Sequence, residues 1–371
     1  MENLKDKTLA LFFTCGASLK VWQKVGNLER EIKFYNELAK YFKKIYFMTY
    51  GGSEELGFKE KLSENIEILP KKIYLPSKIY QFFIPFIYYR ELKKTDIYKT
   101  NQMAAGIPAV ISKCLYKKKL VVRCGYEWLE FLKKEKKSFL KRIVVFLLEK
   151  NFYKKADKII LTSEKDKRFV ENNFRISSSK IEITPNYIDT ELFKPLEIKK
   201  DKSRIIFIGR LHEQKNLFNL IKAVSGIPYK LVIIGSGFLR EEMKAFAEKK
   251  RANVEFKKNI LNEKLPEELN KSEIFILPSL YEGCPKVLLE AMSCGLPCIG
   301  ANVDGIKEII RHKENGYFCN TDADSIKKAI VEVSENKELQ KKIGKNARQT
   351  ILESFNLEKI LKKEIGIYYV L

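Results

Sequence analysis

The sequence predicts an α/β fold made of two doubly wound, Rossmann-like domains that face each other across a cleft. The chain has 371 residues, a length that suits two domains better than one. Hydrophobic residues make up 45% of it, enough for two packed cores. Short apolar runs of strand length alternate with longer helical patterns in both halves, which is typical of βαβ units around parallel sheets.

Eight apolar runs have the length and composition of buried strands, and helical patterns follow them. They lie at residues 8–14, 44–49, 120–123, 158–162, 203–208, 230–234, 273–277 and 296–300. The stretch 9–17 follows lysines and could imitate a signal peptide. Because it is short, we interpret it as the first buried strand.

The domain boundary is predicted within residues 186–202, which contain Pro195 and then a charged run. We expect an N-terminal domain at 1–190, a linker at 191–202 and a C-terminal domain at 203–352. The last segment, 353–371, is helical in pattern and is expected to pack back on the N-terminal domain. Ligands of such folds bind where strands end, so the cleft is the expected site.

The composition is strongly basic. Lys and Arg total 70 against 47 Asp and Glu, a formal net charge of +23. Such an excess favours an anionic partner (a phosphate-bearing substrate, an anionic membrane surface or nucleic acid), although a solvated lysine-rich surface explains it as well. Seven cysteines without a CxxC pair and only two histidines are poor material for a zinc site, so we expect reduced thiols in a cytoplasmic protein. No apolar run reaches the roughly 18–20 residues that a membrane-spanning helix needs.

Two cations follow the fifth apolar run. Arg210 directly follows Gly209 and Lys215 comes five residues later, between the end of a predicted strand and a helix that begins near Leu217. A diphosphate is expected at such a strand end, with the planar Arg fork and the mobile Lys charge on its oxygens. The alternative is that both are solvated loop cations.

Two glutamates flank a predicted helix start after the seventh run. Glu282 lies in the loop, and Glu290 lies one to two turns into a helix whose first residue would be Pro285 and which Gly295 would end. Free N–H groups near residues 286–288 would point at an anion. Glu290 is then placed for a ribose diol and Glu282 for sugar hydroxyls. For either glutamate alone, a surface position on an ordinary helix is the alternative.

Together these segments resemble the retaining family 4 glycosyltransferases of the GT-B fold. Glu282 and Glu290 match the family's Glu-x7-Glu signature, and Gly209, Arg210 and Leu211 followed by Lys215 match its Gly-Arg-Leu and Lys. Weaker matches lie at 185–189, 304–309 and 315–317. The resemblance covers all of the second half, whereas the first half contains few matching motifs.

The resemblance implies that the second domain binds a nucleotide-diphosphate sugar. It implies catalytic roles for Arg210, Lys215 and Glu282, and donor contacts from Gly26, Gly209, Arg210, Lys215, Gly235, Glu282, Gly283, Cys284, Val287, Leu288 and Glu290. Cations and a helix end would stabilise the leaving diphosphate, so neither a metal ion nor a cofactor is expected. Asp322 and Asp324 form an Asp-x-Asp, but they precede a helical pattern at 325–333, which favours an N-cap and a first-turn acid.

The first half departs from the family's pattern at two places. The loop before the first long helix has a single glycine, Gly26, where the family usually has two. The strand-end segment 121–126 lacks the family's His, so Arg123 either substitutes as a cation that contacts the donor or is structural. In the second half, Gly235 and Gly237 could begin an NAD-binding motif, but Arg240 stands where that motif needs a third glycine. We therefore interpret the two glycines as the family's turn beside the nucleotide.

Basic and aromatic residues mix in two stretches of the first half, 73–89 and 133–155. The first stretch contains Tyr74, Tyr80, Phe82, Phe83, Phe86, Tyr88 and Tyr89, and is followed by Arg90, Lys93 and Lys94. Such segments suit a membrane interface at which a lipid-linked acceptor is presented. The alternative is core helices with a solvated basic face.

We therefore predict a glycosyltransferase that moves a hexose-type sugar to a glycan or lipid-linked acceptor, with retention, in polysaccharide or glycolipid biosynthesis. It is expected in the cytoplasm or at the inner face of the cell membrane, in contact with anionic lipid and not with nucleic acid. A GT-B epimerase or phosphorylase is the alternative on the same fold, although the first half shows no second catalytic set. A basic nucleic-acid-binding protein is the alternative of another class, but no recognised motif supports it.

Overall fold

The computed structural model describes residues 3–125, 127–135 and 138–371. The chain divides into two compact units, one made of Met1–Pro185 with Leu361–Leu371 and the other of Asn186–Ile360. We call them the first and the second unit. The division falls at Pro185, inside the predicted N-terminal domain, and the predicted domain boundaries at 190 and 203 stay predictions.

The first unit contains a seven-stranded parallel sheet in the order β3-β2-β1-β4-β5-β6-β7. The strands are β1 (Thr8–Phe12), β2 (Lys44–Met48), β3 (Ile66–Leu69), β4 (Ile97–Thr100), β5 (Lys119–Cys124), β6 (Lys158–Leu161) and β7 (Ile181–Ile183). In β1, every residue from Leu9 to Phe12 is buried. Parallel sheets covered on both faces produce such unbroken apolar strands.

Among the described residues, eight α-helices connect these strands. They are α1 (Leu19–Lys24), α2 (Leu28–Ala39), α3 (Ser77–Ile87), α4 (Tyr89–Lys94), α5 (Gly106–Tyr116), α6 (Trp128–Lys134), α7 (Phe139–Lys155) and α8 (Glu164–Phe174). Short 3-10 turns lie at Leu4–Asp6, Ser53–Lys61, Met103–Ala105 and Ser178–Lys180. The hydroxyls of Ser18 and Ser163 accept backbone hydrogen bonds at the starts of α1 and α8, as N-caps do.

The second unit contains a six-stranded parallel sheet in the order β10-β9-β8-β11-β12-β13. Its strands are β8 (Arg204–Ile208), β9 (Lys230–Ile234), β10 (Val254–Lys257), β11 (Ile274–Leu277), β12 (Cys298–Ala301) and β13 (Tyr317–Cys319). The helices are α9 (Leu217–Val224), α10 (Arg240–Lys249), α11 (Leu265–Asn270), α12 (Lys286–Ser293), α13 (Ala323–Glu335) and α14 (Lys337–Ser354), with 3-10 turns at Glu213–Lys215 and Asn262–Lys264. The last helix, α15 (Leu357–Tyr369), begins in the second unit, and its part from Leu361 onward belongs to the first unit.

All eight predicted strands are confirmed, with bounds that shift by one or two residues at most. Sequence reasoning missed the short strands β3, β4, β7, β10 and β13, because charged or polar residues interrupt most of them. In β4 the interruption is Lys99, whose side chain is 1% exposed. Its ammonium pairs with the carboxylate of Glu364 on α15, which also accepts a hydrogen bond of 2.7 Å from the Tyr368 hydroxyl. This pairing lets a charge lie inside the first unit.

Candidate functional site

The predicted donor residues of the second unit lie at the point where its strand order reverses. β8 and β11 are neighbours in the sheet, although β9 and β10 separate them in the chain. Loop 209–216 follows β8 and loop 278–285 follows β11, so both begin at the same edge of the sheet. Open parallel sheets bind ligands at this position, outside the carboxyl ends of their strands.

An ion pair and three hydrogen bonds join these loops, and the third bond comes from Asn216. The ammonium of Lys215 pairs with Oε1 of Glu282, and their side chains are only 11% and 8% exposed. Gln214 donates from its side-chain amide to the backbone carbonyl of Tyr281 at 2.9 Å. The backbone carbonyl of Gln214 accepts from the Leu280 N–H at 2.8 Å. The sequence shows no signal for the role of Gln214, since its partners lie more than sixty residues away.

Asn216 ties the same loop to a third segment. Its Nδ2 donates to the carbonyl of Pro278 at 3.0 Å and to that of Thr321 at 2.7 Å. Its backbone is left-handed, with φ at 58°, a conformation that Asn adopts more readily than most residues. An Asn directly before an apolar helix indicates a cap, but the partners of this side chain are decided by the fold.

The turn after β9 packs directly on loop 209–216. A Cβ atom at Gly235 would lie 1.9 Å from the carbonyl oxygen of Gly209, so only glycine fits there. Arg240 donates to the carbonyls of Gly235 at 2.9 Å and Lys257 at 3.1 Å, at the ends of β9 and β10. A structural arginine therefore occupies the place where a dinucleotide motif requires its third glycine.

Helix α12 begins one residue later than predicted. Pro285 is its N-cap, with an extended backbone, and Lys286 is its first residue. The predicted free N–H of Leu288 is also wrong, because it donates to the carbonyl of Pro285 at 3.1 Å, and the Leu288 side chain is buried in the core. The predicted end is confirmed, since Gly295 has φ at 71° and its N–H bonds to Met292 as in a Schellman cap.

The other donor residues predicted near α12 lie together in the second unit. Glu290 is only 1% exposed, and its Oε1 lies 3.4 Å from the side-chain amide of Asn262, which sequence reasoning missed. The Cys284 carbonyl accepts from Asn186 Nδ2 at 2.7 Å, and Val287 packs partly buried on the core. Gly283 contacts Gly305, where a Cβ atom would lie 2.0 Å from the Gly283 oxygen.

Arg210 differs from Lys215 in its surroundings. The Arg210 side chain is exposed, whereas that of Lys215 is 11% exposed. A cation on an exposed loop costs little to keep solvated, while a shielded one needs a partner. The structure thus separates two residues that the sequence presents as equivalent loop cations.

Two predicted residues of the first unit have local structural roles. Gly26, with φ at 75°, ends α1, and its N–H donates to Gln23 at 3.0 Å, as expected for a glycine cap. Arg123 is 11% exposed, with Nη1 3.8 Å from Oε2 of Glu364. The observation at Arg123 agrees with its structural alternative, and the donor contacts of both residues stay predictions. Tyr126, at the end of the same segment, lies outside the described residues.

The Asp-x-Asp segment forms a helix start, as predicted. Asp322 Oδ1 accepts from Ser325 N–H at 2.8 Å as the N-cap of α13, and Asp324 lies in its first turn. Among residues 3–125, 127–135 and 138–371, no group of three or more His, Cys, Asp or Glu side chains is arranged to hold a metal ion. In the same ranges no helix has both the length and the apolar character needed to cross a bilayer.

Comparisons with known sequences agree with this architecture. The family described as Glycosyl transferases group 1 matches residues 188–350, and the one described as Glycosyltransferase Family 4 matches residues 34–192. The Escherichia coli UDP-Gal:alpha-D-GlcNAc-diphosphoundecaprenol alpha-1,3-galactosyltransferase is 28% identical over 341 residues, 81% of this chain and 86% of its own length. A Campylobacter jejuni protein, N-acetylgalactosamine-N,N'-diacetylbacillosaminyl-diphospho-undecaprenol 4-alpha-N-acetylgalactosaminyltransferase, is 31% identical over 257 residues, 66% of this chain and 68% of its own length.

Solved structures show the same fold at lower identity. Sucrose-phosphate synthase from Thermosynechococcus elongatus superposes with a TM-score of 0.82 at 20% identity over 98% of both chains. Anabaena Alr3699/HepE in complex with UDP superposes with a TM-score of 0.79 at 14% identity, over 98% of this chain and all of its own. The two doubly wound sheets and these likenesses define the class as the GT-B glycosyltransferases. Within that class, the chain belongs to glycosyltransferase family 4, the glycosyl transferases group 1, and is a sugar-transferring enzyme.

Proposed function

We propose that this enzyme transfers a hexose-type sugar from a uridine-diphosphate sugar to a glycan carried on a polyprenyl diphosphate, with retention of the anomeric configuration. The observation that carries the donor half is the Lys215–Glu282 pair at the strand-order reversal of the second unit. The uridine base rests on the likeness to a structure that holds UDP. The acceptor rests on the names of the Escherichia coli and Campylobacter jejuni relatives.

The ion pair suits a site that stabilises a leaving diphosphate. Glu282 holds the Lys215 ammonium in one place, so its positive charge is already oriented before negative charge develops on the leaving group. An ammonium has three donors, and one bond to Glu282 leaves others for phosphate oxygens. Arg210, exposed on the same loop, supplies a second cation. This stabilisation grows as the sugar–phosphate bond breaks, so it lowers the barrier to transfer.

The two glutamates divide the rest of the donor between them. In this proposal, Oε2 of Glu282 accepts a hydrogen bond from a hydroxyl of the transferred sugar. Glu290 of α12, which is buried beside Asn262, accepts hydrogen bonds from the ribose diol of the nucleotide. A carboxylate is suited to a diol because its two oxygens can accept from two hydroxyls at once.

Thermal-shift titration with uridine, guanosine, adenosine and thymidine diphosphates tests the donor. UDP is expected to raise the melting temperature most, and a uridine-diphosphate sugar is then expected to label a polyprenyl-diphosphate N-acetylhexosamine. Failure of every nucleoside diphosphate to stabilise the protein would contradict the donor site. Stabilisation by UDP without transfer to any polyprenyl-linked glycan would contradict the acceptor only.

We also propose that transfer needs no divalent metal, because Lys215 and Arg210 supply the positive charge that a metal would otherwise provide. Activity is expected to be the same in EDTA as in buffer with Mg²⁺. A loss in EDTA that Mn²⁺ or Mg²⁺ reverses would contradict this part of the proposal.

A further inference from the structure

Helix α3 of the first unit presents an apolar stripe to solvent. Ile79, Phe82, Phe83 and Phe86 lie at i, i+3, i+4 and i+7, which places them on one face of the helix. Their exposed fractions are 49%, 48%, 45% and 57%. The opposite face is buried in the unit through Tyr80, Gln81, Ile84 and Pro85. A helix whose outer face is this apolar needs an explanation beyond the fold, since large apolar patches on protein surfaces mark interaction sites.

Helix α7 repeats the pattern. Its inner face is buried through Val145, Glu149, Phe152 and Tyr153. Its first three turns expose large apolar side chains, namely Phe139 (70%), Leu140 (72%), Ile143 (39%), Val144 (50%) and Leu147 (58%). Both helices therefore bury one face in the unit and leave a second apolar face outside it.

Helix α5 joins the two on one side of the sheet. It packs against α3 and against α7. The hydroxyl of Tyr116, at the end of α5, donates to the Pro85 carbonyl of α3 at 2.8 Å, and Phe152 of α7 packs against Gly106 at its start. Leu115, on α5 between them, is 47% exposed. We call the exposed apolar side chains of these three helices the apolar surface.

The helices that carry this surface, with the adjoining α4, also carry exposed cations and few acids. Exposed basic side chains on α3, α4 and α7 include Lys78, Arg90, Lys93, Lys94, Lys141, Lys154 and Lys155. On the same three helices the only acids are Glu91 and Glu149, and Glu149 is fully buried. Apolar residues that enter the acyl boundary, with Lys and Arg around them, are the combination by which proteins bind anionic bilayers.

A cavity at one end of the surface has the same character. It has a volume of about 250 Å³ and lies between α6, α7 and α8. Apolar side chains and two cations, Lys133 and Arg142, line it. The Nε of Arg142 is buried and has no hydrogen-bond partner among the described residues. A buried guanidinium donor without a partner fits an anionic group next to an alkyl chain, which is the chemistry of an anionic lipid.

We infer that the apolar surface docks the first unit on an anionic lipid bilayer, with α3 and α7 inserted at the headgroup boundary and the cations around them on anionic headgroups. The inference deepens the proposed function, since it supplies the place where a polyprenyl-linked acceptor would be met. Binding to vesicles requires neither donor nor acceptor, so it is tested separately from transfer.

The test is co-sedimentation of the full chain with vesicles of phosphatidylglycerol and phosphatidylcholine, against phosphatidylcholine alone. The double variant Phe82→Ser/Phe86→Ser is expected to bind anionic vesicles about 100-fold more weakly, since each Phe side chain withdrawn from an apolar medium accounts for roughly a tenfold loss. The matched control is Leu56→Ser. Leu56 is 52% exposed in the same unit, on the segment between β2 and β3. The order of the strands reverses at β1, so right-handed connections put the segment between β2 and β3 on the face of the sheet opposite to α3, α5 and α7.

A charge-matched pair tests the cations. Lys141→Gln/Lys154→Gln/Lys155→Gln is expected to weaken binding by up to roughly 100-fold, since each cation near the surface contributes roughly fivefold. Lys341→Gln/Lys342→Gln/Lys345→Gln removes the same charge from exposed positions on α14 and is expected to bind as the wild type does. Circular dichroism and UDP binding check that each variant folds. The inference would be overturned if the two triple variants bound anionic vesicles equally well. It would also be overturned if the wild type bound phosphatidylcholine vesicles but not anionic ones. A Phe82→Ser/Phe86→Ser variant that dissociates a dimer but binds vesicles unchanged would overturn it as well, because the surface would then belong to a second copy of the chain.

Discussion

Lys215 and Glu282 lie 67 residues apart in the sequence and form a shielded ion pair in the second unit. Lys215 follows β8 and Glu282 follows β11, two strands that the reversal of strand order makes neighbours. The sequence assigned them to separate parts of the donor, the diphosphate and the sugar. Their pairing makes them one group, in which the carboxylate orients the ammonium.

Removing one member of this pair should destabilise the protein more than removing both. Lys215→Met or Glu282→Gln alone leaves the partner shielded and unpaired, which should lower the free energy of unfolding by about 3 kcal/mol. Urea denaturation of the wild type, the two single variants and the double variant gives the interaction free energy between the two side chains. Lys244→Met, which breaks the exposed pair with Glu241, is the control and should change stability by less than about 1 kcal/mol. Purely additive effects at 215 and 282 would show that the pair has no energetic meaning.

The exposed Arg210 should matter for transfer and not for folding. Arg210→Ala should lower kcat by roughly 10²–10³-fold, the scale for losing one oriented stabiliser of developing negative charge. Its melting temperature should match that of the wild type, because the side chain is exposed. Lys222→Ala, an exposed cation on α9, should leave both quantities unchanged. More than half of the activity in Arg210→Ala would remove Arg210 from the proposed site.

The two glutamates should separate nucleotide binding from sugar placement. Glu290→Gln loses charge-assisted hydrogen bonds to the ribose, at roughly 1.5–3 kcal/mol each, so UDP and the full donor should both bind more weakly. Glu282→Gln should weaken UDP binding less than Glu290→Gln does, since it only disorients the Lys215 ammonium, but it should impair transfer by misplacing the sugar. Calorimetric titration of both variants with UDP makes the comparison. Equal weakening by the two substitutions would contradict this division of roles.

The buried Glu149 of α7 should make stability depend on pH. Burial raises its pKa from 4.5 to about 7, against the opposing hydrogen bonds from the Leu129 and Trp128 N–H groups. Burial also raises the pKa values of the neighbouring acids Glu127 and Asp166. Because the folded state holds its proton more tightly, the stabilisation from Glu149 is complete below pH 4.5 and is lost as the pH rises through about 7.

Glu149→Gln should therefore flatten the pH dependence of unfolding. Between pH 5 and pH 8 the free energy of unfolding of the wild type should fall by up to about 3 kcal/mol more than that of the variant. Denaturation curves at each pH measure the difference, with the exposed Glu338→Gln as a control that keeps the wild-type slope. Parallel slopes for Glu149→Gln and the wild type would show that Glu149 stays charged in the folded protein.

The sequence by itself determined the features that depend on neighbouring residues. Unbroken apolar runs predicted eight of the parallel strands, because a strand covered on both faces must be apolar throughout. The helix start at Asp322 and the helix end at Gly295 followed from cap chemistry, which is local. The motifs around Lys215 and Glu282 indicated the family, since the residue types and spacings stand in the sequence alone.

Only the tertiary structure decided which distant groups meet. It buried Lys99 in β4 by giving it Glu364 as a partner, and it paired Lys215 with Glu282 by placing β8 beside β11. It also decided which apolar side chains of α3 face outward, because the helix has apolar residues on both faces and packing against α5 buries one of them. The periodicity of a sequence sets the faces of a helix, whereas the burial of a face depends on what the rest of the chain places against it.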